Sequence, residues 1–185
     1  MDFFEEAGGL YLVMEYYESQ TLGELLDARG ALTATEALPI ALGALAGLNF
    51  AHSLGVIHRD VKPSNILVCK DGVTRIMDFG IMLQLGGKRV TATGTTFGTP
   101  HYMSPEQVKN ARNLDHRTDV YAMGIVLYEM LTGNVPFDAD SEYEIKAAHV
   151  QTPPQPLRER NPAVPEALSR GVLKALAKKP DDRFA

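Results

Sequence analysis

The stretch that most restricts what this chain can fold into is His58-Arg59-Asp60-Val61-Lys62-Pro63-Ser64-Asn65, followed at once by the apolar run Ile66-Leu67-Val68. A short strand bounded by turn residues calls for a return strand. Lys70-Asp71-Gly72 supplies the turn, and Val73 to Met77 leads back to Asp78-Phe79-Gly80, so the hairpin brings Asp78 beside Asn65. An acid, a lysine, an amide and a second acid are thereby collected at one end of a hairpin. Phosphoryl transfer asks little covalent chemistry of a protein and depends on positioning and on neutralising charge at the transferring oxygens. These side chains suit that work. A lone H-R-D triplet would read as a solvated turn, and only the ordered set gives it meaning.

The rest of the chain reads as mostly helical. Residues 1–17 predict a strand pair, Asp2 to Glu5 and Leu10 to Glu15, around the turn Ala7-Gly8-Gly9. A short helix over Leu22 to Ala28 ends at Gly30. Thr33 and Glu36 form a capping box that opens an Ala/Leu helix running to about Leu54 and stopping at Gly55, with Pro39 early enough to be tolerated while bending it. That helix is apolar around much of its circumference, which marks a core element. His52 near its end reads as a packed or capping histidine, because no second histidine or cysteine stands at metal spacing. Val120 to Leu131, closed by Gly133, is apolar nearly all round and reads as a buried central helix, with Asp119 in its first turn complementing the helix dipole. Ser141 to Glu144 caps a helix to about Val150, Pro153 to Pro156 is extended, and a last helix is expected from Pro165 to about Lys178.

With 185 residues the chain has room for a sizeable core, and 45% hydrophobic residues are ordinary for a globular domain. A net charge of −5 argues against a nucleic-acid partner. The single cysteine, Cys69, can form no internal disulfide and reads as a small core residue. No signal peptide and no run long enough to span a bilayer are recognised, so a cytoplasmic location is expected, with no membrane segment in this chain.

The loop His58 to Asn65, Asp78-Phe79-Gly80 and the stretch Gly98-Thr99-Pro100-His101-Tyr102-Met103-Ser104-Pro105-Glu106 together resemble the protein kinase family, with Ser104 where that family usually has alanine. The wording, with Asp-Val-Tyr-Ala-Met-Gly at 119–124, is similar to the bacterial branch of eukaryotic-like serine/threonine kinases. The resemblance implies an α+β, protein-kinase-like fold: a mainly helical large lobe over 18–185, and a residual β-hairpin of the small lobe with the hinge over 1–17. It implies ATP and Mg²⁺ as cofactors and a protein serine or threonine as acceptor. Asp60 would take the proton of the attacking hydroxyl, Lys62 would face the γ-phosphate, and Asn65 and Asp78 would hold the metal. Met14 would be the gatekeeper, the backbone of Glu15 and Tyr17 would meet the adenine edge, and Leu22 and Leu67 would lie beneath the ring. Thr91 and Thr93 become candidate phosphorylation sites on an activation loop, where a phosphate could pair with Arg59, and Thr99 a contact to Asp60 and Lys62 in the substrate loop. His58, Phe79, Glu106, Asp119 and Arg183 take structural roles, Glu106 and Arg183 as a buried ion pair and Asp119 accepting backbone hydrogen bonds from the catalytic loop.

Some family features have no counterpart. There is no G-x-G-x-x-G, and Lys62 is the first lysine, so the small-lobe lysine and its glutamate partner are missing from these residues. The chain therefore reads as a fragment or truncated reading frame, with negligible turnover and poor solubility expected of it alone, and a longer parent that could carry a membrane anchor. Two alternatives stay beside the enzyme: a noncatalytic binding module or pseudokinase fragment, and, less well matched, a small-molecule phosphotransferase. The oligomeric state is left open.

Overall fold

Helix α4 (Arg117–Thr132) runs through the middle of the core because its sequence offers it no polar face: Tyr121, Ile125, Val126, Tyr128, Met130 and Leu131 are all fully enclosed. Gly133 closes it in the left-handed conformation at φ 75°, and its N–H returns to the Glu129 carbonyl. The computed structural model describes residues 2–6, 9–79 and 100–185. The turn at Ala7-Gly8, together with Thr91, Thr93 and Thr99, lies outside the described residues.

Against α4 pack α2 (Ala34–Ser53), α6 (Leu157–Arg160) and α7 (Glu166–Ala175), while α1 (Leu22–Arg29) joins the same apolar cluster and α5 (Glu142–Gln151) meets α4 where the Tyr121 hydroxyl lies 2.9 Å from His149 Nδ1. Both early helices open with complete capping boxes, Thr21 with Glu24 and Thr33 with Glu36, which satisfy backbone N–H groups that would otherwise have no partner. Glu36 is held down to about 2 by its hydrogen bond from Arg29 and then by those from Thr33. The last helix is shorter than its sequence suggested. Pro165 stands at φ −57° and ψ 138° as the residue before the helix instead of its first turn, and the helix ends at Ala175.

Two antiparallel sheets accompany the helices. Strands β1 (Asp2–Glu6) and β2 (Gly9–Val13) form a hairpin in register from Asp2 with Val13 to Glu6 with Gly9. Its second strand stops short of the expected Glu15, and Phe4 stacks on Tyr11 with ring centroids 5.1 Å apart. The other sheet has the order β3 (Ser19–Thr21), β4 (Ile66–Cys69), β5 (Thr74–Ile76). β3 was not legible in the sequence, since Ser-Gln-Thr has neither length nor apolar alternation. It exists because β4 offers it an edge, with Thr21 opposite Leu67 and Ser19 opposite Cys69.

Helix α2 is less enclosed than its composition suggested. One face is fully buried, the stripe Ala37, Ala41, Ala44, Leu48 and Ala51, while Leu42 and Phe50 are 63% and 68% exposed. By length and composition alone its 20 residues, with an 18-residue window of mean hydropathy 1.3, match a membrane span, a match that the core helix of a globular domain also makes. Here it packs its small residues on the core beside α4. A second face carries Gly43 and Gly47 against β5, so closely that a Cβ on Gly43 would lie 2.7 Å from the Thr74 Cβ.

That contact reverses the usual sign of a helical glycine replacement. Gly43→Ala should lower the unfolding free energy by about 1–2 kcal/mol, because overpacking outweighs the gain in helix propensity. Gly171→Ala in α7, where nothing lies within 4 Å of the new methyl, should raise it by about 0.5–1 kcal/mol. Chemical denaturation of the two variants against the parent checks both signs.

Candidate active site

The loop after α2 is held from below by one carboxylate. Asp119, in the first turn of α4, is 0% exposed and accepts three hydrogen bonds: Arg59 N–H at 2.8 Å on Oδ1, His58 N–H at 2.9 Å on Oδ2, and His52 Nε2 at 2.7 Å on Oδ2. A buried carboxylate is tolerable only when paired this fully. His52 is thus a packed histidine with a specific partner. The sequence carried no signal for the pairing, because the two residues stand 67 positions apart.

Above Asp119 the chain makes a turn that L-residues resist. Arg59 has φ 68° and Asp78 has φ 56°; left-handed non-glycine residues of this kind cost about 1–3 kcal/mol each and persist where surrounding contacts over-determine them. The contacts are present. His58, fully buried, accepts the Asp60 N–H at Nδ1 (3.2 Å), so its proton must sit on Nε2, which donates to the Met77 carbonyl at 2.7 Å. Its ring meets that of Phe79 at 4.8 Å. One imidazole thereby joins the turn bearing Asp60 to the residues on either side of Asp78.

The reactive ends of the loop converge. Asn65 Nδ2 donates to the Asp60 carbonyl at 2.8 Å and to its Oδ2 at 3.3 Å, and Lys62 Nζ lies 2.8 Å from the same Oδ2. The Met77 N–H bonds the Asn65 carbonyl at 2.9 Å, and Ile66 is in register with Ile76, so Asp78 follows one residue after the partner of Asn65. With Nδ2 committed to Asp60, the amide oxygen of Asn65 is the group left for a cation, and the Asp78 residue is exposed. Two hard oxygens, one just before β4 and one just after β5, fit Mg²⁺, which keeps several waters and takes one or two protein ligands beside phosphate oxygens. Among the described residues no group of three or more His, Cys, Asp or Glu side chains forms a metal cage.

The expected nucleotide edge is only partly assembled. Met14 and Glu15 are exposed; Tyr17 donates its hydroxyl to Glu15 and lies under Arg75 of β5, whose guanidinium carbon is 3.9 Å from the ring centroid. Leu67 is part-exposed on β4. Leu22 is a correction: it is 0% exposed within the apolar core, so it presents no face to a ligand and acts as a packing residue.

Behind the loop, α3 (Pro105–Val108) is fastened to the far end of the chain. Arg183, 5% exposed, makes a two-pronged pair with Glu106, Nη1 to Oε1 at 2.7 Å and Nη2 to Oε2 at 2.8 Å, and Thr118 donates to Oε1 at 3.0 Å. Burial alone would push the Glu106 carboxyl up, but the hydrogen bond from Arg183, with help from its own backbone and Thr118, holds it below its ordinary value. Ser104, buried, caps α3 in a box with Gln107; the swap from alanine therefore supplies a cap. Tyr102 donates to Glu129 of α4 at 2.7 Å, where burial raises the carboxyl.

Comparison with known proteins settles the family. The family described as protein kinase domain matches residues 1–185. The chain belongs to the protein kinase family. This kinase domain is 44% identical over 176 residues to the serine/threonine-protein kinase PknB of Mycolicibacterium smegmatis, 45% over 180 to serine/threonine-protein kinase PksC of Streptomyces coelicolor, and 42% over 174 to a probable serine/threonine-protein kinase of Clostridium perfringens. Each match takes in 94% of the chain and 28%, 32% and 25% of the respective relative, so the chain spans about a quarter to a third of their length. The kinase family generally uses ATP and Mg²⁺.

The Glu106 pair has a pH signature. Its folded pKa is depressed, so its stabilisation is present in full above the ordinary value of 4.5 and is lost as the pH falls through the lowered folded value. Glu106→Gln should flatten that acid limb of the stability curve. Arg183→Met should cost about 3–5 kcal/mol at neutral pH, since it strands a largely buried carboxylate. Urea denaturation across pH 3–7, as a range of about four units, measures both.

Proposed function

We propose that this kinase domain transfers the γ-phosphoryl group of ATP to serine and threonine hydroxyls of a protein substrate. The observation that carries the proposal is the convergence of Asp60, Lys62 and Asn65 on one turn, with Asp78 delivered beside them by the β4–β5 hairpin. Asp60 holds its carboxylate toward the open side of the loop and takes the hydroxyl proton as the acceptor attacks. Lys62, paired with Asp60, offers a positive charge to the transferring phosphoryl oxygens, and Asn65 and Asp78 hold the cation. Bound Mg²⁺ neutralises charge on the phosphate oxygens and orients them for in-line transfer. The names of the similar proteins, all serine/threonine-protein kinases, support the choice of acceptor, as does lysine at 62. Thr99 is proposed as a further contact to Asp60 and Lys62, and Glu15 and Tyr17 as the backbone edge read by adenine. The domain works in the cytoplasm under this reading.

Arg59 is exposed next to Asp60, with its backbone pinned by Asp119 and Gln107. It is the proposed receptor for a phosphate on Thr91 or Thr93, which would bring about two negative charges.

In the intact protein, Asp60→Asn should reduce transfer from Mg-ATP to a protein acceptor by about a thousandfold or more while leaving the fold unchanged. Equal turnover by the two forms would remove Asp60 from the role of base, and no transfer by the parent would return the domain to the class of noncatalytic binding modules. Incubation with Mg-ATP followed by mass spectrometry should find phosphate on Thr91 or Thr93 of the parent and not of the Asp60→Asn form.

A further inference from the structure

The peptide unit joining Arg59 to Asp60 is fixed at both polar ends. Its N–H, on Asp60, is taken by His58 Nδ1, and its carbonyl, on Arg59, accepts a hydrogen bond of 2.8 Å from Gln107 Nε2. Because Arg59 is left-handed, the orientation of this unit decides where the Asp60 side chain leaves the backbone. Gln107 comes from a different segment, 48 residues away, on the short helix that follows the Tyr102 region. That helix is itself immobilised by the Glu106–Arg183 pair next door.

The chemistry of Gln107 separates two duties. Its Oε1 accepts the Ser104 N–H at 2.9 Å and completes the capping box, a duty a glutamate performs equally well. Its Nε2 has a different partner, the Arg59 carbonyl. Capping therefore accounts for an acceptor at 107 and leaves the amide donor to be explained by Arg59.

We propose that Gln107 is a positioning residue for phosphoryl transfer, holding the Arg59 carbonyl so that the left-handed turn presents Asp60 to the acceptor hydroxyl. This rests on the kinase reading above. It makes the placement of the catalytic acid depend on α3, the element that carries the substrate-side segment, so a displaced α3 releases the Asp60 turn as well.

Gln107→Glu isolates the donor. The carboxylate keeps the cap on Ser104 but sets an acceptor against the Arg59 carbonyl, so the peptide unit loses one of its two restraints. In the intact protein, kcat should fall about ten- to a hundredfold, the loss expected from misplacing a reacting group by about an ångström. KM for ATP and for the acceptor, and the thermal midpoint, should stay at the parent values. Activity relative to the parent should recover as the pH is lowered and the carboxyl regains an O–H to donate. Independently of turnover, hydrogen exchange at the Asp60 amide should quicken in Gln107→Glu while exchange in α4 does not change. Parent-like exchange at Asp60 overturns the inference whether or not the protein transfers phosphate. So does a loss of activity that tracks a fallen thermal midpoint, or an activity ratio that does not change with pH. Failure of the kinase reading is seen separately, as Asp60→Asn turning over like the parent.

Discussion

The buried carboxylate of Asp119 is the interaction on which the rest of the molecule depends. It is wholly removed from water and, among the described residues, is satisfied by two backbone N–H groups of the His58–Arg59 turn and one histidine of α2. Burying α4 without that turn would leave a stranded charge, and forming the turn without α4 would leave its amides without partners. Core and site are therefore conditional on each other. The first-turn position adds a favourable helix dipole, a smaller effect than the three hydrogen bonds.

From that point the site is built in two tiers. The lower tier is apolar and close: small residues of α2 lie on the core beside α4, and Gly43 and Gly47 admit β5 to within contact distance. That approach aligns the β4–β5 hairpin and hence Asp78. The upper tier is polar. His58 links the catalytic turn to Met77 and Phe79, Asn65 links it to β4, and Gln107 links it to α3, which Arg183 ties to the end of the described chain. Strain at Arg59 and Asp78 is concentrated where these ties meet. A turn held from several directions suits chemistry that is mostly a matter of position.

Much of this was legible in the sequence because local rules decided it. Thr33 and Glu36 announced α2, Gly133 announced the end of α4, and the turn at Asp71-Gly72 announced the hairpin, each through contacts a few residues apart. The motif order supplied the family resemblance. Other features gave no local sign. β3 is three polar residues that become a strand only against β4. Leu22, expected at the nucleotide, is sealed in the core, because a leucine's type does not say which of two apolar surfaces it will join. Pro165 stands just before its helix, a shift of one position that dihedral angles decide.

By itself, then, the sequence determined the family resemblance, which segments are helical, and which helix has no choice but to be buried. The tertiary structure alone decided that His52 and two backbone amides share one carboxylate, that Gln107 reaches the Arg59 carbonyl, and that Arg183 meets Glu106 at 2.7 Å. The reason is range. Capping, periodicity and turn chemistry act over a few residues and are written into composition and spacing, whereas these pairings join groups 48 to 77 positions apart and exist only once packing has brought them together and removed the water that would otherwise satisfy them.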